Sequence, residues 1–283
     1  MANHKTALSH GDRPLKNHDK PYIIGILSDM HVAIIHEPTL DACEDWCRDV
    51  QPDELFLNGD TFDFSVLSPY PKGEDALACA IDEVKAAVKI INRLHKYTKR
   101  IRIQWGNHCK RWEKTVIGGN SQALKGAIGL TLKEQCKFQG LDPRVEWSKE
   151  SAKTPGVWLS QDLVARHGDM QSGRFGGAVN ICTNRLNKNN GVSEIVGHHH
   201  RAQIAYRTAM GRSSFVMALP TMANFEDYAP GTDWQQGWAV LSLFREPKRR
   251  EAPTLPLVVQ PSLVIVQHGV GMWGNKIYGR YLP

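Results

Sequence analysis

Five short patches recur along this chain: Asp29-Met30-His31, Gly59-Asp60-Thr61-Phe62-Asp63, Gly106-Asn107-His108, His167-Gly168 and Gly197-His198-His199-His200. Four of the five directly follow an apolar run. A continuous apolar run that stops at a polar turn is the pattern of a buried strand. When such strands lie side by side in an open α/β sheet, the turns at their carboxyl ends line one crevice. Side chains far apart in sequence are then gathered at one edge of a sheet. The set contains carboxylate, imidazole and amide donors and no paired thiolates. Such a mixture suits borderline divalent ions (Mn, Fe, Zn, Co or Ni) and not a structural zinc knuckle.

The segments between the patches support that architecture. PYIIGILSD is the first strand signal. From Pro38 to about Val50, Leu40, Cys43, Trp46, Cys47 and Val50 recur at helical spacing, with Pro38 suited to a first turn. Glu54–Asn58 is a second strand. Asp75 to about Lys96 is an amphipathic helix whose stripe is Ala76, Ala80, Val84, Ala87, Val88, Ile91 and Leu94. Ile101–Trp105 is a third strand. This alternation argues a parallel sheet with helices on its faces. Residues 115–150 are mixed, with a helix over Leu130–Phe138, and read as an insertion or lid. From Val157 the chain becomes strand-rich: Val157–Leu159, Leu163–His167, Glu194–Gly197, Gln203–Thr208, Ser214–Leu219, Gly237–Phe244 and Ser262–Gln267. Arg207–Arg212 and Glu246–Thr254 read as connections. Two such halves closing on one site predict a four-layer α/β/β/α sandwich, two mixed sheets flanked by helices. It is expected as a single domain over 21–283 behind a flexible arm at 1–20.

Composition narrows the function classes. The 283 residues are 41% hydrophobic and 23% charged, as in an ordinary globular protein. No apolar run approaches the roughly 18 residues of a membrane span, and the polar start lacks a signal-peptide core. The six cysteines form no CxxC pair, which predicts reduced thiols in a cytoplasm. The net charge of +6 favours anionic substrates without amounting to a nucleic-acid signature. The most basic run, Lys248-Arg249-Arg250, reads as a solvated loop.

Taken singly, each patch has an ordinary explanation. A Gly-Asp pair or Gly-Asn-His is a common turn, and a DxH arises by chance. Three adjacent imidazoles in Gly197-His198-His199-His200 are harder to ascribe to packing. The ordered set DxH, GDxxD, GNH, HG and GHxH, running from about Ile23 to Arg201, resembles the calcineurin-like metallophosphoesterases. The stretches FLNGDTFDF and GNHCKRW look like a phage and prophage branch, in which an arginine often stands three residues after the GNH histidine; Arg111 holds that place.

The resemblance implies two divalent metal ions, manganese foremost. Asp29, His31 and His200 would hold the first ion. Asn107, His167 and His198 would hold the second, with Asp60 bridging. A hydroxide between the ions would attack phosphorus. His108 would be the acid for the leaving group, Arg111 a phosphate clamp, and Asp63 would orient a ligand by hydrogen bonding. His199 would have no metal role. The expected substrate is a phosphorylated small molecule or a phosphodiester, with nucleic acid an alternative through a nuclease of the same fold. A non-catalytic scaffold is the remaining alternative, and such members typically lose ligands. One departure stands out: Cys109 occupies the position where the family carries Asp or Glu, so His108 is either a less effective acid or leans on another carboxylate that the sequence does not name. Among Trp112, Trp147, Trp158, Trp234 and Trp238, core packing is expected for most, with a cleft lining as the alternative.

Overall fold

A computed structural model describes residues 20–68, 79–118, 129–148, 156–160, 162–169, 177–188, 191–209, 212–225, 231–244 and 258–283. Most of the expected N-terminal arm, the start of the second helix and the 246–254 connection lie outside these residues.

The first half runs β1 (Tyr22–Leu27), α1 (Glu37–Val50), β2 (Glu54–Asn58), α2 (Ala80–His95), β3 (Ile101–Gln104), α3 (Cys109–Trp112), α4 (Leu132–Phe138) and β4 (Glu146–Trp147). The second half adds β5 (Val157–Ser160), β6 (Leu163–Arg166), α5 (Gly177–Lys188), β7 (Ser193–Val196), β8 (Gln203–Ala209) and β9 (Arg212–Ala218). It ends with β10 (Gly237–Phe244), β11 (Val258–Gln267), β12 (Val270–Trp273) and β13 (Lys276–Gly279). Eight strands form one sheet, in the order β13-β12-β11-β10-β1-β2-β3-β4, and five form another, β5-β6-β7-β9-β8. β1 to β4 are parallel, as are β6, β7 and β9; the remaining pairs are antiparallel.

Alternation along the strands builds three apolar layers between four structural ones. Ile24, Ile26, Phe56, Ala239 and Leu241 of the large sheet meet Leu163, Ala165, Ile195, Phe215 and Met217 of the small one. Their neighbours Leu27, Leu55, Leu57, Trp238 and Val240 point the other way, onto α1, α2 and α4 through Leu40, Trp46, Val84, Ile91 and Leu132. Val196, Val216 and Ala218 pack on Ile181, Cys182 and Leu186 of α5. Because side chains alternate with period two, one strand can supply both layers. The result is an α/β/β/α sandwich of two mixed sheets. Helix α4 joins the outer layer against α2, and residues 119–128 of the expected insertion lie outside the described ones.

Several elements differ from the sequence expectation. Helix α5 was expected as part of a strand-rich region, because GAVNICTNRLNK has only a weak apolar stripe among its polar residues. Of the expected 207–212 connection, residues 207–209 end β8 and Arg212 opens β9, while 210–211 lie outside the described residues. The last four residues of β8 are exposed, so apolar alternation is not required of them. The C-terminal hairpin β12–β13 is short and rich in glycine, and its strand signal is correspondingly faint. Among the described residues no helix is long and apolar enough to cross a membrane.

The β1 strand passes so closely beneath α1 that Gly25 has no room for a side chain. A Cβ there would lie 2.7 Å from Leu55 and 2.8 Å from the Trp46 ring. Gly25→Ala should therefore destabilise the fold by roughly 1–3 kcal/mol through overpacking. A denaturation midpoint equal to that of the unsubstituted protein would contradict this packing.

Candidate metal centre

The parallel strands bring the five patches together. Asp29 follows β1, Asp60 follows β2, Asn107 and His108 follow β3, His167 follows β6 and His198–His200 follow β7. Hydrogen bonds between the crossing turns hold them in register. Asp29 N–H donates to Gly59 O (3.2 Å), His31 N–H to Asp60 O (3.0 Å) and Val32 N–H to Thr61 O (3.1 Å). From the turn after β9, Thr221 Oγ1 (2.8 Å) and Met222 N–H (3.2 Å) both donate to Asp29 O.

Close approach also explains the glycines. A Cβ on Gly106 would collide with the Asp60 side chain and backbone nitrogen. One on Gly59, whose φ is +86°, would collide with the His167 ring. Five of the expected ligands have left-handed backbones: Asp29 (φ 50°), His31 (39°), Asp60 (44°), His198 (69°) and His200 (57°). Non-glycine residues seldom adopt this region, and when they do they cluster at functional sites.

Donor atoms converge in three groups, each within 4.8 Å: Asp29, His31 and His200; Asp29, Asp60, His167 and His198; and His31, Asp63 and His108. Asp29 is common to the first two. Asn107 lies beside the second group, its Oδ1 2.9 Å from His167 Nε2. The same Nε2 is 2.9 Å from Asp60 Oδ2. His167 Nδ1 donates to the Asn58 carbonyl (3.2 Å), which leaves Nε2 as the nitrogen that faces the two oxygens and that a metal ion would take in place of a proton. Asp29 Oδ1 is 3.2 Å from His200 Nε2, and its Oδ2 accepts from Ser28 Oγ and from His198 N–H (2.9 Å).

These residues fit divalent ions. Their donors are oxygen and imidazole nitrogen, buried and convergent. Acceptors set the tautomers of His31 and His167 through Nδ1, which places each Nε2 lone pair to coordinate. His200 Nδ1 is buried without a hydrogen-bond partner among the described residues.

The electrostatics follow from burial. Burial resists charge on Asp29 and Asp60, but adjacent imidazoles win and hold both carboxyls below their ordinary range. His167 is likewise penalised by burial, yet Asp60 beside it lifts its pKa to about 9. Burial pulls His31 and His198 down and brings His199 to about 4. The His199 ring stacks edge-on to His198 at 5.3 Å.

Asp63 is the carboxylate that His108 was missing. Its Oδ1 lies 3.1 Å from His31 Nδ1 and 3.0 Å from His108 Nδ1, and its backbone carbonyl is also 3.0 Å from His108 Nδ1. Both imidazoles thus donate to one residue. Arg111 completes the group: Nη1 donates to Asp63 O (2.9 Å) and Nη2 faces His108 Nε2 at 3.1 Å. A guanidinium only donates, so His108 Nε2 is held as an acceptor. Cys109 points away into the helix-side core, fully buried, and burial pushes its thiol up to about 12.

Further residues of the site were not anticipated from sequence. Ser28, Asn58 and Thr221 hold Asp29 and His167 as above. Glu83 of α2 accepts from the Asp63 and Phe64 amides; its one signal was a carboxylate lying on the same helical face as Ala87, Ile91 and Leu94. Trp234 packs edge-on against His200 at 4.2 Å. By contrast Trp238 is fully buried in the core and Trp158 is 45% exposed.

No protein-family profile matches this chain, and no curated protein matches it. Solved structures do align. Vacuolar protein sorting 29 from Cryptosporidium parvum aligns with a TM-score of 0.44 at 10% identity, over 93% of this chain and 100% of that one. Vps29 from Chaetomium thermophilum gives 0.35 at 9% identity, over 86% and 96%. Thermotoga maritima protein TM1076 gives 0.32 at 15% identity, over 86% and 99%. At this level of similarity the chemistry of the site rests on its own side chains.

Cys79 is the exposed cysteine, and the other five are buried. Thiol modification of the folded protein at pH 8 should therefore label Cys79 quickly and leave Cys109 untouched until unfolding, since only a thiolate reacts. Rapid labelling of Cys109, read by peptide mass, would mean that the turn after β3 is open to solvent.

Proposed function

We propose that this chain is a calcineurin-like metallophosphoesterase, of the phage-type branch that FLNGDTFDF and GNHCKRW resemble, hydrolysing phosphomonoesters, phosphodiesters or both. The observation that carries this reading is the convergence of eight buried or half-buried Asp and His side chains from both sheets into overlapping groups of donor atoms, with Asn107 beside them.

Asp29, His31 and His200 would hold one divalent ion. Asn107, His167 and His198 would hold the other, with Asp60 in the same donor group and Asp29 common to both groups. Manganese is the first candidate. When bound, the ions supply positive charge to the phosphoryl oxygens and make water a stronger acid. The protein residues do the rest. Asn58 and Asp63 fix the tautomers of His167 and His31, so that the ligand lone pairs are in place before substrate arrives. Arg111 presents a two-pronged donor to phosphate oxygens. A phosphate that draws Arg111 away frees His108 Nε2 to take up a proton from solvent; as a water oxygen bonds to phosphorus and the P–O ester bond breaks, Nε2 gives that proton to the departing oxygen. Asp63, bonded to Nδ1, favours the protonated ring: burial lowers the His108 pKa, but Asp63 and Asp60 outweigh it and the net shift is upward. The chain's formal charge of +6 favours anionic substrates.

Metal analysis of the purified protein should find transition metal. Chelation should abolish phosphoester turnover and manganese should restore it. Asp60→Ala should lose both metal and turnover; full activity in metal-replete buffer would eliminate the two-metal reading. His108→Ala should lower turnover of alkyl phosphates by about 10²–10⁴-fold, with a much smaller loss on aryl phosphates whose leaving groups need no proton. Equal losses on both would remove His108 as the acid.

A further inference from the structure

We propose that Glu83, from helix α2, is the positioning residue that sets the Asp63 carboxylate between His31 and His108. Its consequence for turnover rests on the phosphoesterase reading above; its structural role does not.

Glu83 is 1% exposed. It stands on the inward face of α2, where the same face carries Ala87, Ile91 and Leu94. An ionisable group in such a place is costly unless hydrogen-bonded. Glu83 spends both oxygens on consecutive backbone amides: Asp63 N–H donates to Oε1 by a short bond and Phe64 N–H to Oε2 at 2.9 Å. Phe64 is left-handed at φ 48°, and its ring stacks on Phe62 at 5.1 Å and 7°. The chain therefore reverses at Asp63 and Phe64 around a carboxylate, and two buried N–H groups would lack an acceptor without it. What this reversal presents is Asp63, whose Oδ1 and carbonyl oxygen together receive His31, His108 and Arg111. Glu83 bonds to the Asp63 and Phe64 amides, while Asp63 in turn receives His31, His108 and Arg111. Glu83 acts through the Asp63 backbone, and its effect on the imidazoles passes through one residue.

The test uses ¹⁵N-labelled, zinc-loaded protein at a single pH. In the unsubstituted protein the Asp63 and Phe64 amides should be strongly downfield and protected from exchange. Free exchange at either would overturn the proposal, and this measurement needs no variant to fold. In Glu83→Gln, which keeps the size of the side chain but has one acceptor where two are needed, the His31 and His108 Nδ1 resonances should shift while those of His36 and His95 stay. Unmoved His31 and His108 resonances would overturn it. On phosphoesters, Glu83→Gln should lower kcat by about 10- to 100-fold with KM held. Combined with Asp63→Asn it should add no further loss; losses that multiply would mean that Glu83 acts independently of Asp63. An unsubstituted protein that hydrolyses no phosphoester, with imidazole resonances that still respond to Glu83→Gln, would sink the phosphoesterase reading and leave the positioning role standing.

Discussion

Three aspartates buried within hydrogen-bond reach of five histidines are tolerable only if every oxygen and every ring nitrogen is told where to point. In this protein much of that instruction comes from the backbone. Asp29 is held at its carbonyl by Thr221 and Met222, from the turn after β9, and its carboxylate receives the His198 amide. Asp60 receives the His108 amide at 2.8 Å. Because these bonds run between turns of different strands, and between the two sheets, the sandwich and the site are one hydrogen-bonded object. Low dielectric strengthens such contacts when satisfied and penalises them when not. The core between the sheets is therefore a precondition of the site's chemistry as much as of stability.

Most of this architecture is legible in the amino-acid order because its signals are local. PYIIGIL and ELFLN read as buried strands on apolar continuity alone, and each stops two positions before a candidate ligand aspartate. The outer helices show their apolar stripes. Elements that obtain their stability from neighbours leave fainter marks: β12–β13 lies at the far edge of the large sheet, and α5 has a weakly apolar face. The same division runs through the site. Asp29, Asp60, Asn107, His167 and His198 stand in motifs, whereas Ser28, Asn58, Thr221 and Glu83 bond backbone atoms 19 to 192 positions away, a relation no local pattern encodes.

Cys109 stands where the resemblance implies a carboxylate, and the structure meets His108 from another position. The carboxylate expected beside the GNH histidine is absent from that position, and Asp63 of the GDxxD patch stands at His108 Nδ1 instead. One carboxylate thus orients both imidazoles, His31 and His108. Sharing couples them: a change in the charge drawn from His31 is felt at His108 through a single oxygen. The vacated position is filled by a buried thiol that packs with the helix layer, so Cys109 serves the core.

The left-handed backbone at five candidate ligand positions has a consequence for the evolution and engineering of the centre. Aspartate, asparagine and histidine are among the few side chains that tolerate this conformation, and they are also the hard and borderline donors. Each position is thus filtered twice, once by donor chemistry and once by backbone torsion. A valine-like or threonine-like replacement is excluded by its branched Cβ whatever its neighbours. Even a substitution that preserves the donor atom, such as glutamate for aspartate, must meet the torsional demand as well as the new reach. The metal preference of such a centre is consequently hard to retune one ligand at a time; the accessible route runs through the residues behind the ligands, whose backbones carry no such restriction.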